Sequence, residues 1–185
     1  MGNDSRAVSD GRLIARARSD PEAFVRLYRM HYEAIFRYCA HRLFEREAAE
    51  DVTSQVFLGV VQKFQSFKGN EQQFRSWLYR IATNAVNDHF RKTARRNNLL
   101  EGAAERANSH DDDYGASPEK LALLREAMLA LKPRYQTIIT LRFFENLKMT
   151  EIAEVLGSSP GTVRSQMARA LARLRDMCVS VEREI

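Results

Sequence analysis

A chain of 185 residues holds one ordinary domain or two small ones. With 44% hydrophobic and 29% charged residues it can build a core and keep a polar surface, and a net charge of +5 favours a polyanionic partner. No stretch approaches the roughly 18 consecutive apolar residues of a spanning helix, and the amino terminus lacks the apolar segment of a secretory signal, so a cytoplasmic protein without membrane insertion is expected. Cys39 and Cys178 fall in apolar-periodic segments, where a buried free thiol is expected rather than a disulfide.

Apolar residues recur at spacings of three and four almost throughout, which predicts an all-α chain. Asp20-Pro21-Glu22 supplies a cap, a first-turn proline and a first-turn acid. Phe24, Leu27, Tyr28, His31, Ile35, Tyr38, Cys39 and Leu43 follow on one predicted face. A second helix starts near Arg46, with Ala49, Val52, Val56, Phe57, Val60 and Phe64 inward, and stops at the polar turn Lys68-Gly69-Asn70. The third is the most regular: Phe74, Trp77, Leu78, Ile81, Ala82, Ala85 and Val86 form its core side. Its other face carries Arg75, Arg80, Asn84, Asn87, Asp88, Arg91, Lys92, Arg95 and Arg96.

Between about Asn97 and Ser117 the periodicity stops, and Asp111-Asp112-Asp113 offers neither core nor turn residues, as expected of a flexible linker. Charge supports the division: residues 1–100 carry a net +6, residues 101–118 a net −4 and residues 119–185 a net +3. The expected organisation is two small helical domains, 1–97 and 118–185, joined by a flexible acidic linker over 98–117. Helix restarts at Ser117-Pro118-Glu119, continues through Leu121, Leu124, Met128 and Leu131, breaks at Lys132-Pro133 and resumes with Ile138, Ile139, Leu141 and Phe144.

The end of the chain reads as a helix-turn-helix. Thr150 is placed to cap a short helix carrying Ile152, Ala153, Val155 and Leu156, and Gly157 stands where a left-handed residue would end it. Ser159 is placed to cap a longer helix with Pro160 in its first turn and Val163, Met167, Leu171 and Leu174 inward. Such a helix docks in the major groove by its amino-terminal turns, so Gly161, Thr162, Arg164, Ser165 and Gln166 face the base edges. Arginine bridges guanine O6 and N7 and glutamine pairs with adenine. Arg169 and Arg173, further along, suit phosphates. The competing reading, a plain helical hairpin with a solvated basic face, requires the glycine, the Ser-Ser turn and the capped proline to coincide by accident.

Four stretches together resemble the extracytoplasmic-function (ECF) class of sigma-70-type initiation factors of bacterial RNA polymerase. They are Ala49-Glu50-Asp51-Val52 through Gln55, Phe57 and Leu58; Phe74-Arg75-Ser76-Trp77-Leu78-Tyr79-Arg80-Ile81-Ala82 with Asn84 and Asp88; Leu131-Lys132-Pro133-Arg134; and Glu151-Ile152-Ala153 through Gly161-Thr162-Val163-Arg164-Ser165. The resemblance implies a first domain that binds core polymerase and opens the minus-ten element, and a second that reads the minus-thirty-five element as duplex. It places Asp51, Gln55, Phe57 and Leu58 at the surface gripping the clamp helices, with the flap as a further polymerase contact. It assigns the loop from Ser66 to Gln73 to a base flipped out of the melted strand. There Lys68 suits phosphate and Asn70, Gln72 and Gln73 suit base edges. Asn84, Asn87, Asp88, Arg91 and Lys92 fall on the face turned to promoter DNA, where Asp88 orients a base or an arginine. Trp77 lies in the apolar stripe and reads as core.

By the same resemblance the acidic linker threads through polymerase channels and orders on binding. An anti-sigma factor would hold the protein idle, in some cases near the membrane, and regulation by a domain beyond Ile185 is not expected. Gln166 departs from the family, which often has a basic residue there. A repressor or activator with the same helix-turn-helix would need a ligand pocket, receiver or dimer helix in its first half, and Phe74 to Lys92 resembles none of these. Catalysis is not expected either: His31, His41, His89 and His110 form no ligand or acid–base set, and no glycine loop cradles phosphate, so no metal or cofactor is implied.

Overall fold

The computed structural model describes residues 12–99 and 118–182, and every element there is helical. The expected linker falls outside these residues, apart from 98–99, which end a helix.

After a helical turn at 12–16, α1 runs Pro21–Leu43. Asp20 caps it, one carboxylate oxygen accepting from the backbone N–H of Glu22 at 3.0 Å and of Ala23 at 3.3 Å. The hydrogen bond from Arg16, with these two backbone donors, holds that carboxyl below its ordinary pKa. Phe44, left-handed at φ 54°, turns the chain into α2, Arg46–Lys63. A 3-10 turn at Phe64–Ser66 and a short loop lead to α3, Glu71–Leu99. The three helices close over Leu27, Ile35, Tyr38, Val52, Val56, Phe74 and Leu78, all buried; each such side chain contributes about 1.5–3 kcal/mol. Tyr28, expected inside, is 36% exposed and lies against the buried Phe57. Trp77 is half-buried against Phe67 and Phe74, at the edge of the core.

The second half comprises α4 (Pro118–Ala130), α5 (Pro133–Ile139), a wide π turn at Thr140–Phe144, α6 (Met149–Leu156) and α7 (Pro160–Glu182). Met128, Ile138, Leu141, Leu147, Ile152, Val163 and Met167 form its core. Two sequence expectations shift here. Thr150 is not the cap of α6, because the helix begins at Met149; the Glu151 carboxylate reaches back to accept from the Lys148 backbone N–H at 2.7 Å. The inward stripe of α7 passes through Ala170, fully buried, rather than Leu171, which is 39% exposed, because steps of four, three and four from Val163 through Met167 and Ala170 to Leu174 hold one helix face.

The halves touch. Helix α6 lies on α3, and the π turn lies on the carboxy-terminal part of α1.

Candidate nucleic-acid interface

The turn between α6 and α7 is built as the sequence predicts. Gly157 is left-handed at φ 59°, a conformation that costs an L side chain energy, and its N–H closes the helix. Ser159 Oγ accepts from the Thr162 backbone N–H at 3.1 Å and shares a 2.9 Å hydrogen bond with the Thr162 hydroxyl. Val163, Met167 and Ala170 lock α7 inward. Gly161, Thr162, Arg164, Ser165, Arg169 and Arg173 are all exposed, on the outer side of α7. Ser165 folds its hydroxyl onto the Thr162 carbonyl at 2.9 Å.

Gln166 differs from these neighbours. Its side-chain oxygen accepts from Nε of Arg134 at 2.8 Å, and the same guanidinium donates to Ser158 Oγ. Arg134 stands near the start of α5, so an arginine from a third helix is held against the turn and the recognition helix. The sequence reading treated Arg134 only as part of a lead-in; it sits 32 residues from Gln166, beyond the reach of local periodicity.

In the first half, the loop before α3 is closed by a reciprocal pair. The Asn70 N–H donates to Gln73 Oε1 at 2.9 Å, and the Gln73 N–H donates to Asn70 Oδ1 at 2.9 Å. This is a capping box, and it occupies the amide oxygens of two of the three expected edge readers. Gln72 and Lys68 remain exposed without such a role. Gly69 fits closely: a Cβ there would lie 2.8 Å from the Phe67 ring and 2.9 Å from Gln73 Oε1. Along α3, Asn84, Arg91 and Lys92 are exposed, while Asn87 and Asp88 are half-buried. Asp88 is paired with Arg91, and Asn87 Oδ1 accepts from Arg42 at 3.4 Å.

The outward side of α2 presents Asp51, Gln55 and Leu58 at helical spacing. Leu58 is 59% exposed and Val61, one turn on, 55%; Val61 was absent from the sequence reading, which had no cue separating it from its buried neighbour Val60. Phe57 is buried under Tyr28 and Tyr32, so it supports this surface from beneath. Cys39 is buried and free, and burial pushes its thiol up to about 11, which leaves it inert at neutral pH. Among the described residues no helix is long and apolar enough to cross a membrane.

A helix-turn-helix with an open arginine-bearing face, behind a helical domain with both an exposed apolar strip and a polar helix face, defines a DNA-binding protein of two helical units. Comparison with known proteins narrows the class. A sigma-70 region 2 model matches residues 27–96 and a sigma-70 region 4 model matches residues 121–174. The ECF RNA polymerase sigma factor BldN of Streptomyces coelicolor is 33% identical over 92% of this chain, which spans 66% of that protein's length. The RNA polymerase sigma factor YlaC of Bacillus subtilis is 31% identical over 85% of this chain and 94% of its own. The fold is shared with the sigma factor RpoE of Bartonella quintana, solved with the anti-sigma factor NepR (TM-score 0.69, 22% identity, 84% of this chain and 96% of that one). It is shared equally with CnrH, solved with the cytosolic domain of CnrY (TM-score 0.69, 23% identity, 92% and 97%). The chain belongs to the ECF class of the sigma-70 family of RNA polymerase sigma factors. Its function is that of the class, promoter-specific transcription initiation with core RNA polymerase.

Proposed function

We propose a division of labour within that function. The domain over residues 1–97 grips the polymerase clamp helices through Asp51, Gln55, Leu58 and Val61 on α2, with Phe57 holding the strip in place. It receives the melted minus-ten strand along Asn84, Asn87, Arg91 and Lys92, while Lys68 and Gln72 contact the flipped nucleotide. Asn70 and Gln73 shape that loop by capping α3. The domain over residues 118–185 reads the minus-thirty-five duplex through Gly161, Thr162, Arg164 and Ser165, with Arg169 and Arg173 on phosphates. Residues 98–117 connect the two through the polymerase.

The observation that carries this reading is the exposed face of α7, Arg164 included, above a capped, left-handed turn, since a groove-docked helix meets base edges with its amino-terminal turns. Arg134 joins that face as a further phosphate contact, positioned by Gln166 and Ser158. The chain acts by binding rather than by catalysis. An anti-sigma factor covering the exposed Leu58–Val61 strip keeps the protein idle in the cytoplasm, in the sense in which NepR is named for RpoE. Transcription from a pool of genomic promoters with purified core polymerase tests the proposal: specific transcripts above core alone are expected, and their absence on every promoter overturns it.

A further inference from the structure

The loop leading into α3 is fastened by a segment from far upstream. Before α1 begins, the helical turn at 12–16 buries Leu13 and Ile14, and Ala17 after it, in the core of the first half. The segment is closed by the Ala17 N–H donating to the Leu13 carbonyl at 2.8 Å and the Asp20 N–H to the Arg16 carbonyl at 2.9 Å. Arg16 pairs with the Asp20 carboxylate at 2.8 Å. Arg18 reaches elsewhere: its Nη2 donates to the Phe67 backbone carbonyl, 49 residues on, at 2.6 Å. Gln65 returns the link, its Nε2 donating to the Arg18 carbonyl at 2.8 Å. Running side chain to backbone in both directions, the two bonds strap residues 65–67 to the segment before α1.

Phe67 is thereby held by ring, N–H and carbonyl together. Its ring is buried, 5.4 Å from Phe74 and 5.0 Å from Trp77, and its N–H donates to the Phe64 carbonyl at 3.1 Å. Three residues later the Asn70–Gln73 capping box fixes the chain again. Only Lys68 and Gly69 lie between these two fixed points, and Gly69 passes so close to the Phe67 ring that a Cβ would clash with it. A peptide unit is planar, so the direction of the Phe67 carbonyl sets that of the Lys68 N–H and with it the course of the span. Lys68 springs from this span, and Gln72 from the first turn of α3 behind it.

We propose that Arg18 is a positioning residue for promoter opening: by holding the Phe67 carbonyl it keeps the span from Phe67 to Asn70 in the shape that receives the flipped nucleotide. This rests on the reading of that loop as the nucleotide site. Taking a base out of the stack is unfavourable, and a loop that ordered itself at the same moment would add its own conformational entropy to that cost. A loop held beforehand does not, so the strap raises the preference for a base in the pocket without touching the base. Arginine suits the task because its planar, preorganised fork loses less freedom per hydrogen bond than a lysine stem, while lysine still has a donor for the same carbonyl.

Two measurements on the full-length chain test this. Amide exchange in the free protein reports the strap through the hydrogen-bonded N–H groups of Phe67 and Asn70. Binding of the chain with core polymerase to promoter DNA melted over the minus-ten element reports the pocket, as the ratio of affinities with each base intact and replaced by an abasic site. Arg18→Ala is expected to speed exchange at both amides and to lower the ratio at the flipped position by about threefold to tenfold, with the salt slope unchanged. Arg18→Lys should recover most of the ratio. Gln65→Ala, which cuts the return bond without altering charge, should lower the ratio by about twofold and add little to Arg18→Ala. Should Arg18→Ala lose helix content, Gln65→Ala decides alone. An unchanged ratio overturns the proposal. Equal weakening of intact and abasic DNA with the salt slope reduced by about one also overturns it, by making the exposed Arg18 a direct phosphate contact. If the unaltered chain prefers no base over an abasic site, the reading of the loop fails and the proposal with it, while the exchange series still shows whether Arg18 holds the loop.

Discussion

Helices α3 and α7 both begin with polar side chains that the sequence offers as base readers, and the structure uses them differently. At α7 the cap is Ser159, a residue outside the reading set, so Arg164 and Ser165 stay on the open face. At α3 the cap is made by Asn70 and Gln73 themselves. A side-chain amide whose oxygen accepts from a backbone N–H keeps a second lone pair and its NH2 donors, but the cap fixes its orientation, so it is no longer free to turn both groups to a base edge. The amino-terminal turn of a DNA-facing helix must satisfy its own N–H groups before it can read anything. Where a short hydroxyl residue does so from outside, the arginine of the reading set is spared, although the Thr162 and Ser165 hydroxyls bond locally.

The largest effect expected of this difference lies at α7. Arg164→Ala should remove about 1–3 kcal/mol of discrimination at one upstream base pair, roughly fivefold to 150-fold, with the fold unchanged. Binding competition between the preferred promoter and single-base variants measures it. A loss spread evenly over all sequences would show that Arg164 faces phosphate.

Next comes the cap of α3. Asn70→Ala and Gln73→Ala should each lower the stability of the first domain by about 1 kcal/mol, read as a drop in the thermal midpoint, while leaving the preferred minus-ten base unchanged. Gln72→Ala should do the reverse. If Asn70→Ala changes base preference at full stability, the capping box opens on DNA and the contrast between the two helix starts disappears.

Arg173→Ala gives a smaller and different signature. An exposed arginine two turns beyond Gln166 should contribute one phosphate contact, so its removal should weaken all sequences alike by a few-fold and reduce the salt slope by about one. Equal behaviour of Arg164→Ala and Arg173→Ala would mean that α7 is rotated from its assigned docking.

Much of this was legible in the sequence, for a physical reason. Caps and periodicity are local, so Asp20, Gly157 and Ser159 announced their helix ends, and the apolar stripe of α2 was found residue by residue. Thr150 misled because a threonine before an apolar run imitates a cap, whereas the structure starts α6 at Met149 and satisfies the Lys148 N–H with Glu151. The helix register predicts a side but not its neighbour, which is why Leu171 read as core beside the smaller Ala170. What stayed hidden were contacts between distant segments: Arg134 with Gln166, and the Arg37 grip on Glu145 across 108 residues. Arg75 and Arg80 read only as donors on the outer face of α3, because nothing local distinguishes a donor that meets solvent or phosphate from one that meets a distant carbonyl of the same chain.

The finest distinction concerns Gln166. If it reads adenine, Gln166→Ala should relax preference at one base pair and leave other sequences untouched. If it holds Arg134, the substitution should instead frees an exposed guanidinium, weaken all sequences alike by about twofold to threefold, and have no further effect once Arg134 is already alanine. The second outcome is expected, because Gln166 is half-buried and its oxygen is engaged by Arg134 at 2.8 Å, which holds the amide towards α5. Adenine recognition by an amide needs the oxygen and the NH2 group aimed together at one base edge, and the hydrogen bond from Arg134 fixes the amide in another direction. A double-mutant cycle of Gln166→Ala with Arg134→Ala separates the two cases: strict additivity would return Gln166 to the bases, and a residual near zero in the Arg134→Ala background would make it the support of an arginine supplied by α5.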